Sequence, residues 1–349
     1  MIIKDFSAFS LCAIMCLTAV DASQAQDADP LFADNGMLEA RLSAPLSQIM
    51  QDRSSRDELP GTFTLTLPDG AILEVPVEVR TRGNYRRQAD ICEFAPLRLN
   101  FKKGEMKDTF LHKQDKLKLV THCNNKSEVY RQSVIKEFLA YRILNQLTDY
   151  SFRARLLRMT YVDTDTDEEL EAYAFLIESA ERLGKRLGME PSTLQAVNEM
   201  RINQAHTNIG SVFQYMIVNL DFSAVQGSAG KPCCHNYTLF SPDKQAYWSI
   251  PYDFDKTGLA EPPHHGPSPE YKQRHVRDRK YRGRCRNNDF LPETMQVFRD
   301  GRDAIDALIA NQEGLSTASR NRVESLVQSF YKEVDKESRL LRKLQKNCI

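Results

Sequence analysis

The feature that most constrains the fold of this chain is a change of hydrophobic period about halfway along it. Within residues 62–80 apolar side chains alternate with polar ones, beginning with Phe63, Leu65 and Leu67. A period of two with an Asp-Gly turn in its middle predicts a β-hairpin. From Gly184 onward the apolar residues recur mainly at helical spacing. The chain therefore combines a β-rich half with a helical half.

Further elements complete this plan. The sequence predicts strands at residues 96–101 and 116–120, a helix at residues 129–147, a second hairpin around residues 163–171, and a short polar hairpin at residues 235–255. We expect an α+β fold of two lobes. The β-rich N-lobe with one helix would occupy residues 61–183, and the mainly helical C-lobe, which carries the short hairpin, residues 184–349.

The first 25 residues have the pattern of a secretory signal peptide. Lys4 precedes a mostly apolar run at residues 6–20, and Ser23-Gln24-Ala25 offers a cleavage site with small residues. The alternative is a short N-terminal membrane anchor, but the run is short for a bilayer span. We expect an exported protein, periplasmic or secreted, with a polar leader at residues 26–60 and no membrane span in the mature chain.

Cysteine usage agrees with export. Six cysteines remain after the signal peptide: Cys92, Cys123, Cys233, Cys234, Cys285 and Cys348. An even number in an oxidising compartment favours disulfides, and zinc is the competing interpretation. Cys92–Cys123 is the first expected pair, because both cysteines flank neighbouring predicted strands.

Charge is balanced overall but uneven along the chain. With 47 basic and 47 acidic side chains the net charge is zero, which disfavours a nucleic-acid coat protein. Residues 272–286 nevertheless hold nine basic side chains against one acid, Asp278. Such a run predicts contact with an acidic or phosphorylated partner, or else a solvated loop held by Cys285. No platform of aromatic side chains suggests single-stranded nucleic acid.

Carboxylates collect around the short polar hairpin. Asp253 and Asp255 follow its second strand, Asn236 opens its first strand, and Asp221 follows the apolar helix before it. These groups would converge at one end of a small sheet. Hard oxygen ligands suit Mg²⁺, and a further carboxylate can accept a proton from a hydroxyl nucleophile. Phosphoryl transfer needs such a set.

These segments resemble a known family. NLD…HNYTLF…YWSIPYDFD resembles the C-terminal motif block of the spore-coat CotH kinase-like family. In the first half, Arg82-Gly83-Asn84 with Arg87, PLRLNF, YRQSVIKEFLAYRI and AFLIESAERLGKR resemble that family's N-terminal motifs. The resemblance spans roughly residues 60–260. It departs from the family at Tyr85-Arg86, where the family has Ser-Ser, and in a long loop between Asp221 and Asn236.

The resemblance implies an exported, two-lobed, protein-kinase-like fold that uses ATP with Mg²⁺ or Mn²⁺. Asp221 would be the catalytic carboxylate, and Asn236 and Asp253 would bind the metal. Asp255 would support the metal through water or only cap the turn.

Contact with the phosphates is assigned to basic residues, because the chain has no GxGxxG loop. Arg82 and Arg87 are the first candidates. Lys118 on a strand and Glu137 on the next helix would supply the pair of a strand lysine with a helix glutamate that a kinase needs. Alternatively, Lys118 only lies on the solvent-exposed face of an edge strand, and Arg98 contacts the phosphates in its place.

The function that these expectations favour is transfer of the ATP γ-phosphate to a Ser or Thr hydroxyl of an acidic or envelope-associated protein, contacted by residues 272–286. Two alternatives stay open: a catalytically silent binding module for an acidic partner, and a metal-dependent phosphohydrolase.

Overall fold

Seven strands close into a barrel in this computed structural model, which describes residues 29–349. The barrel strands are β1 (Leu38–Ala44), β2 (Leu59–Thr66), β3 (Ile72–Thr81), β4 (Leu97–Asn100), β5 (Lys116–Val120), β6 (Ala154–Asp163) and β7 (Glu169–Ile177). A separate antiparallel sheet contains β8 (Glu190–Pro191), β9 (Tyr237–Ser241) and β10 (Trp248–Pro251) in the order β10-β9-β8.

Nine α-helices accompany the strands within residues 29–349. They are α1 (Pro30–Ala33), α2 (Leu46–Gln51), α3 (Glu128–Leu147), α4 (Ala180–Leu187), α5 (Gln204–Ile217), α6 (Leu291–Asp300), α7 (Arg302–Ala310), α8 (Thr317–Val334) and α9 (Glu337–Lys346). None of the helices in this part of the chain is both long and apolar enough to cross a membrane. The predicted signal peptide at residues 1–25 lies outside the described residues.

Strand β1 closes the barrel. It pairs antiparallel with β2 and parallel with β6, and all other neighbours in the order β1-β2-β3-β4-β5-β7-β6 are antiparallel. The sequence analysis left β1 within the polar leader. Its alternating pattern turns Leu38, Ala40 and Leu42 into the barrel, where Leu42 pairs with Phe63 on one side and Tyr161 on the other.

The predicted two-lobed kinase-like fold, with a β-rich N-lobe and a helical C-lobe, is wrong. The β-rich half is a closed mixed barrel, and the helices share a core with its wall. Val120, Phe175 and Ile177 on the barrel exterior belong to the same buried cluster as helices α3 and α5–α9. Alternating apolar residues look the same in an open sheet and in a barrel, because the period reports only which face is buried.

Helix α3 lies between the barrel wall and the C-terminal helices. Because both of its faces are covered, even Lys136 and Glu137 are buried on it. Buried charges require partners. Lys136 Nζ lies 3.8 Å from Glu261, and Glu137 Oε2 lies 3.4 Å from Arg86 Nη1. Through these ion pairs, α3 fixes the loops that bear the candidate site.

Three disulfides join the six cysteines. The structure pairs Cys92 with Cys123, the pairing that the sequence favoured, and their Cα atoms lie 4.6 Å apart. The other bonds are Cys233–Cys234 and Cys285–Cys348. Cys92–Cys123 anchors the loop between β3 and β4 to the end of β5.

Candidate functional site

The hairpin β9–β10 brings Asn236 and Asp253 to one end of the small sheet. Tyr237 pairs with Pro251, and the Tyr252 N–H donates to the Asn236 carbonyl over 3.0 Å. Asn236 and Asp253 both have left-handed backbones, with φ of 55° and 64°. Asn and Asp are the side chains that tolerate this conformation best. The predicted convergence of these two residues is therefore confirmed.

Asp221 reaches the same place from the end of helix α5. Val218 ends the helix with φ of 58°, an unusual conformation for a β-branched residue. The Gly258 N–H donates to the Val218 carbonyl over 3.0 Å. A Cβ at Gly258 would lie 2.8 Å from the Val218 Cβ, so only glycine permits this close approach. Asn219 then accepts a hydrogen bond from the Asp221 N–H at 2.9 Å.

Asn236 contacts Asp221 directly. Its Nδ2 atom donates to the Asp221 carbonyl oxygen at 2.6 Å and to Asp221 Oδ2 at 3.3 Å. The amide nitrogen is therefore turned toward Asp221, which leaves the amide oxygen as the atom that could bind a metal. The sequence analysis assigned the residue to that role but missed its bond to Asp221.

Two further cationic groups surround the Asp221 carboxylate. His235 Nε2 lies 2.6 Å from Oδ1, and Lys256 Nζ lies 3.6 Å from Oδ2. Burial works to raise the pKa of Asp221, but the His235 hydrogen bond and the Lys256 charge outweigh it and lower that pKa. The same hydrogen bond raises the pKa of His235. Asp221 is thus held as a carboxylate near neutral pH.

Arg282 holds the peptide groups on both sides of Asp221. Its Nη1 atom donates to the carbonyl oxygens of Leu220 and Phe222 at 2.5 Å and 2.8 Å. The guanidinium also lies 4.9 Å from the Phe222 ring centroid and 4.6 Å from that of Tyr271. One arginine of the basic segment therefore positions the candidate catalytic residue, a role that the charge pattern alone could not reveal.

Other arginines of residues 272–286 also bind within the protein. Arg279 donates to the Leu326 carbonyl at 2.6 Å, Arg284 pairs with Glu199 at 2.9 Å, and Arg277 lies 3.8 Å from Glu261. Much of the positive charge in this segment therefore stabilises loops against helices. The exposed basic side chains at its start are Lys272, Arg274 and His275.

Asp253 and Asp255 have different surroundings. The Asp253 N–H donates to the Tyr141 hydroxyl at 2.8 Å, and its half-buried carboxylate has a raised pKa because of burial and the neighbouring charge of Asp255. Asp255 Oδ2 lies 3.2 Å from Arg86 Nε. The Asp255 carboxylate is therefore engaged in an ion pair, whereas the Asp253 carboxylate is the better placed of the two to receive a cation.

The expected pair of Lys118 with Glu137 is wrong. Glu137 pairs with Arg86 and is only 2% exposed, so it cannot contact a bound cofactor directly. Burial raises the pKa of Glu137 to about 8, although Arg86 pulls it down. Lys118 instead places its ammonium 4.5 Å from the centre of the Tyr252 ring. The sequence analysis noted Arg86 only as a departure from the family motif, yet it bridges Glu137 and Asp255.

The remaining residues assigned to phosphate contact line one cavity. Arg82, Arg87, Arg98 and Lys118 surround a volume of about 470 Å³ beside the β3–β4 loop. Burial and the charge of Arg82 lower the pKa of Lys118 to about 8, against the opposing charge of Asp253. The charges of Arg82 and Lys118 in turn pull down the pKa of Asp253. The cavity thus lies next to the carboxylate that could bind a metal.

The donor set fits a hard divalent cation. A carboxylate oxygen of Asp253 and the amide oxygen of Asn236 are ligands of the kind that Mg²⁺ and Mn²⁺ prefer. A cation would also reduce the repulsion between Asp253 and Asp255. A second possible ligand group, Cys92, Cys123 and His264, lies within 4.8 Å, but its two sulfur atoms are joined as a disulfide and are not thiolates.

Comparison with known proteins finds no matching family model and no matching curated protein. The chemistry of the site therefore has to be inferred from its own geometry.

Proposed function

We propose that this protein is an exported, divalent-metal-dependent phosphotransferase that moves the γ-phosphoryl group of ATP to a protein Ser or Thr hydroxyl. One observation carries the proposal. Asp221, Asn236 and Asp253 meet at one end of the β9–β10 hairpin, beside a cavity lined by basic side chains. A base, hard metal ligands and a cationic phosphate site are the parts that phosphoryl transfer requires.

Each residue has a defined task in this reaction. Asn236 and Asp253 would hold Mg²⁺ or Mn²⁺, which would neutralise charge on the phosphates. Asp221 accepts the proton of the acceptor hydroxyl while the hydroxyl oxygen bonds to the γ-phosphorus. The bond from that phosphorus to the bridging oxygen breaks, and ADP leaves with the bond electrons. Arg82 and Arg87 contact the phosphate oxygens.

The acceptor is assigned to acidic or envelope-associated proteins. Within the basic segment, the exposed Lys272, Arg274 and His275 are the groups that could contact such a partner, because several arginines further along bind inside the protein. This partner stays a prediction.

The first experiment is a thermal-shift titration of the oxidised mature protein with ATP, with and without Mg²⁺ or Mn²⁺. We expect stabilisation that requires both and that is lost in Asp253→Ala. The matched control is Asp243→Asn at the opposite turn of the same hairpin, where the side chain caps the Gln245 and Ala246 N–H groups at 2.8 Å and 3.1 Å. That variant should respond to ATP and metal like the wild type.

Transfer is then measured with γ-labelled ATP and envelope proteins as acceptors. Asp221→Ala should reduce labelling by about 100-fold or more, since a positioned general base contributes 10²–10⁴-fold. Unchanged labelling in that variant contradicts the mechanism. Release of free phosphate without acceptor labelling would indicate the phosphohydrolase. If the protein binds no nucleotide, the result would indicate the catalytically silent binding module.

A further inference from the structure

The cavity beside the site has an unusual lining. Seven cationic side chains surround its 470 Å³: Arg56, Arg80, Arg82, Arg87, Arg98, Lys116 and Lys118. The other lining residues within residues 29–349 are Gly83, Asn84 and Leu117, and the Leu117 side chain is buried in the barrel core, so no carboxylate among these residues lines the cavity. Sites for organic ligands are usually lined mainly by apolar and aromatic groups. This composition instead suits a ligand that is anionic along its whole length.

Three of the cations oppose one another across adjacent strands. Arg98 on β4 pairs in register with Arg80 on β3 and with Lys118 on β5. Like charges directly opposite on neighbouring strands are destabilising. Glu58 offsets part of this repulsion, at 3.2 Å from Arg80 and 3.8 Å from Arg98. Asp253 opposes the charge of Lys118 as well, but two carboxylates do not balance the seven cations that line the cavity, so a bound anion would stabilise the barrel wall here.

Two tyrosine rings near the cavity each have a lysine ammonium over one face. The Lys118 ammonium lies 4.5 Å from the centre of the Tyr252 ring, and the Lys256 ammonium lies 4.1 Å from that of Tyr85. A nucleotide base gains affinity by stacking on such rings or by entering an apolar slot. In each ring a lysine already occupies one of the faces on which a base could stack, and the buried Leu117 offers no apolar slot.

We infer that the cavity binds the phosphate chain of its donor and leaves any base outside. Condensed phosphates as a class would therefore bind, whether as inorganic tripolyphosphate or as the triphosphate of ATP or GTP. This inference rests on the proposed function, because it concerns the donor of the same transfer. Transfer from tripolyphosphate would join the terminal phosphorus to the acceptor oxygen and pass the hydroxyl proton to Asp221. The bond from that phosphorus to the bridging oxygen would break, and pyrophosphate would leave with the bond electrons.

The test is isothermal titration calorimetry on the oxidised mature protein at fixed Mg²⁺ concentration. Tripolyphosphate, ATP and GTP should have dissociation constants within about threefold of one another. AMP and adenosine should bind much more weakly. Added salt should weaken all three triphosphates in parallel, because the contacts are ionic.

Two strand arginines provide matched variants. Arg98→Gln removes a cation from the cavity, and we expect about tenfold weaker binding of both tripolyphosphate and ATP. Arg158→Gln removes an arginine from the exposed pair with Glu39 on β6 and β1, away from the cavity lining, and should leave both affinities unchanged. Thermal melts of both variants report whether they remain folded.

The outcomes separate this inference from the proposed function. ATP binding more than tenfold tighter than tripolyphosphate, or measurable adenosine binding, overturns the inference and leaves the phosphotransferase intact. Equal binding of the triphosphates without Asp221-dependent transfer supports the inference and contradicts the phosphotransferase. Arg98→Gln affinities equal to those of the wild type also overturn the inference, because the cavity would not be the binding site.

Discussion

His235 Nε2 lies 2.6 Å from Asp221 Oδ1, and each residue shifts the pKa of the other toward its charged form. His235 also approaches Ser228, whose hydroxyl lies 3.3 Å from Nδ1. The candidate base is therefore held by a titratable partner whose pKa is raised above the usual imidazole value.

This pair predicts a pH-dependent stability. The folded pKa of His235 is raised, so its contribution is fully present below the unfolded value of about 6.5 and is lost as the pH rises through the folded pKa. The free energy of unfolding should therefore fall across that window in the wild type. In His235→Gln, the free energy of unfolding should fall less with pH. Urea unfolding measured from pH 5.5 to 8.5 tests this.

An NMR titration of the imidazole protons supplies the second measurement, with His235→Gln used to assign the resonance. Asp221→Asn should return the pKa of His235 toward its usual value, because the opposite charge is gone. An unchanged titration in that variant would show that the two residues do not interact in solution.

Arg282 should affect turnover more than donor binding. Arg282→Gln removes the donor to two carbonyl oxygens around Asp221, and small displacements of a reacting group can cost about 100-fold in rate. We expect kcat to fall by about 10- to 100-fold with little change in the KM for the donor, and Arg282→Lys to restore part of the rate. Arg284→Gln, which breaks the pair with Glu199 in the same segment, serves as the control. An equal loss in both variants would mean that the segment acts only by general stabilisation.

Arg86 should be the most important side chain for stability at the site. Arg86→Met leaves the buried Asp255 carboxylate without its ion-pair partner and the buried Glu137 carboxyl group without its hydrogen-bond donor. Breaking a buried pair in this way typically costs about 3–5 kcal/mol in the free energy of unfolding. Arg158→Met, in an exposed pair at 3.1 Å, should cost about 0–1 kcal/mol. Urea unfolding at pH 7 compares the two variants, and similar losses would rule out the proposed network.

The Cys92–Cys123 disulfide should support the cavity that is lined by Arg82, Arg87, Arg98 and Lys118. It joins residues 31 apart in sequence and restrains the loop that carries Arg82, Arg86 and Arg87. The double change to serine should lower the free energy of unfolding by about 2–4 kcal/mol and also weaken ATP binding. The same change at Cys285 and Cys348, which join residues 63 apart near the C-terminus, should destabilise without a specific loss of ATP binding. If both variants lose ATP binding equally, the Cys92–Cys123 disulfide has no specific role in supporting the cavity.

Local patterns in the sequence were sufficient to locate most elements and part of the site. The alternation of apolar residues predicted the hairpin β2–β3, and the position of Asn236 and Asp253 at adjoining strand ends predicted their convergence. Both depend on neighbours along the chain or on a short hairpin, so the residues themselves encode the geometry.

The tertiary structure alone decided how the barrel closes and how the charges pair. Strand β1 meets β6 in parallel across more than one hundred residues, and no local period records such a distant partner. Glu137 pairs with Arg86 and not with Lys118, and Arg282 donates to backbone carbonyl groups. A buried polar or charged group binds whichever partner the packing brings within reach. Sequence thus determined which side chains are present and on which face they lie, while packing between distant segments determined what each of them binds.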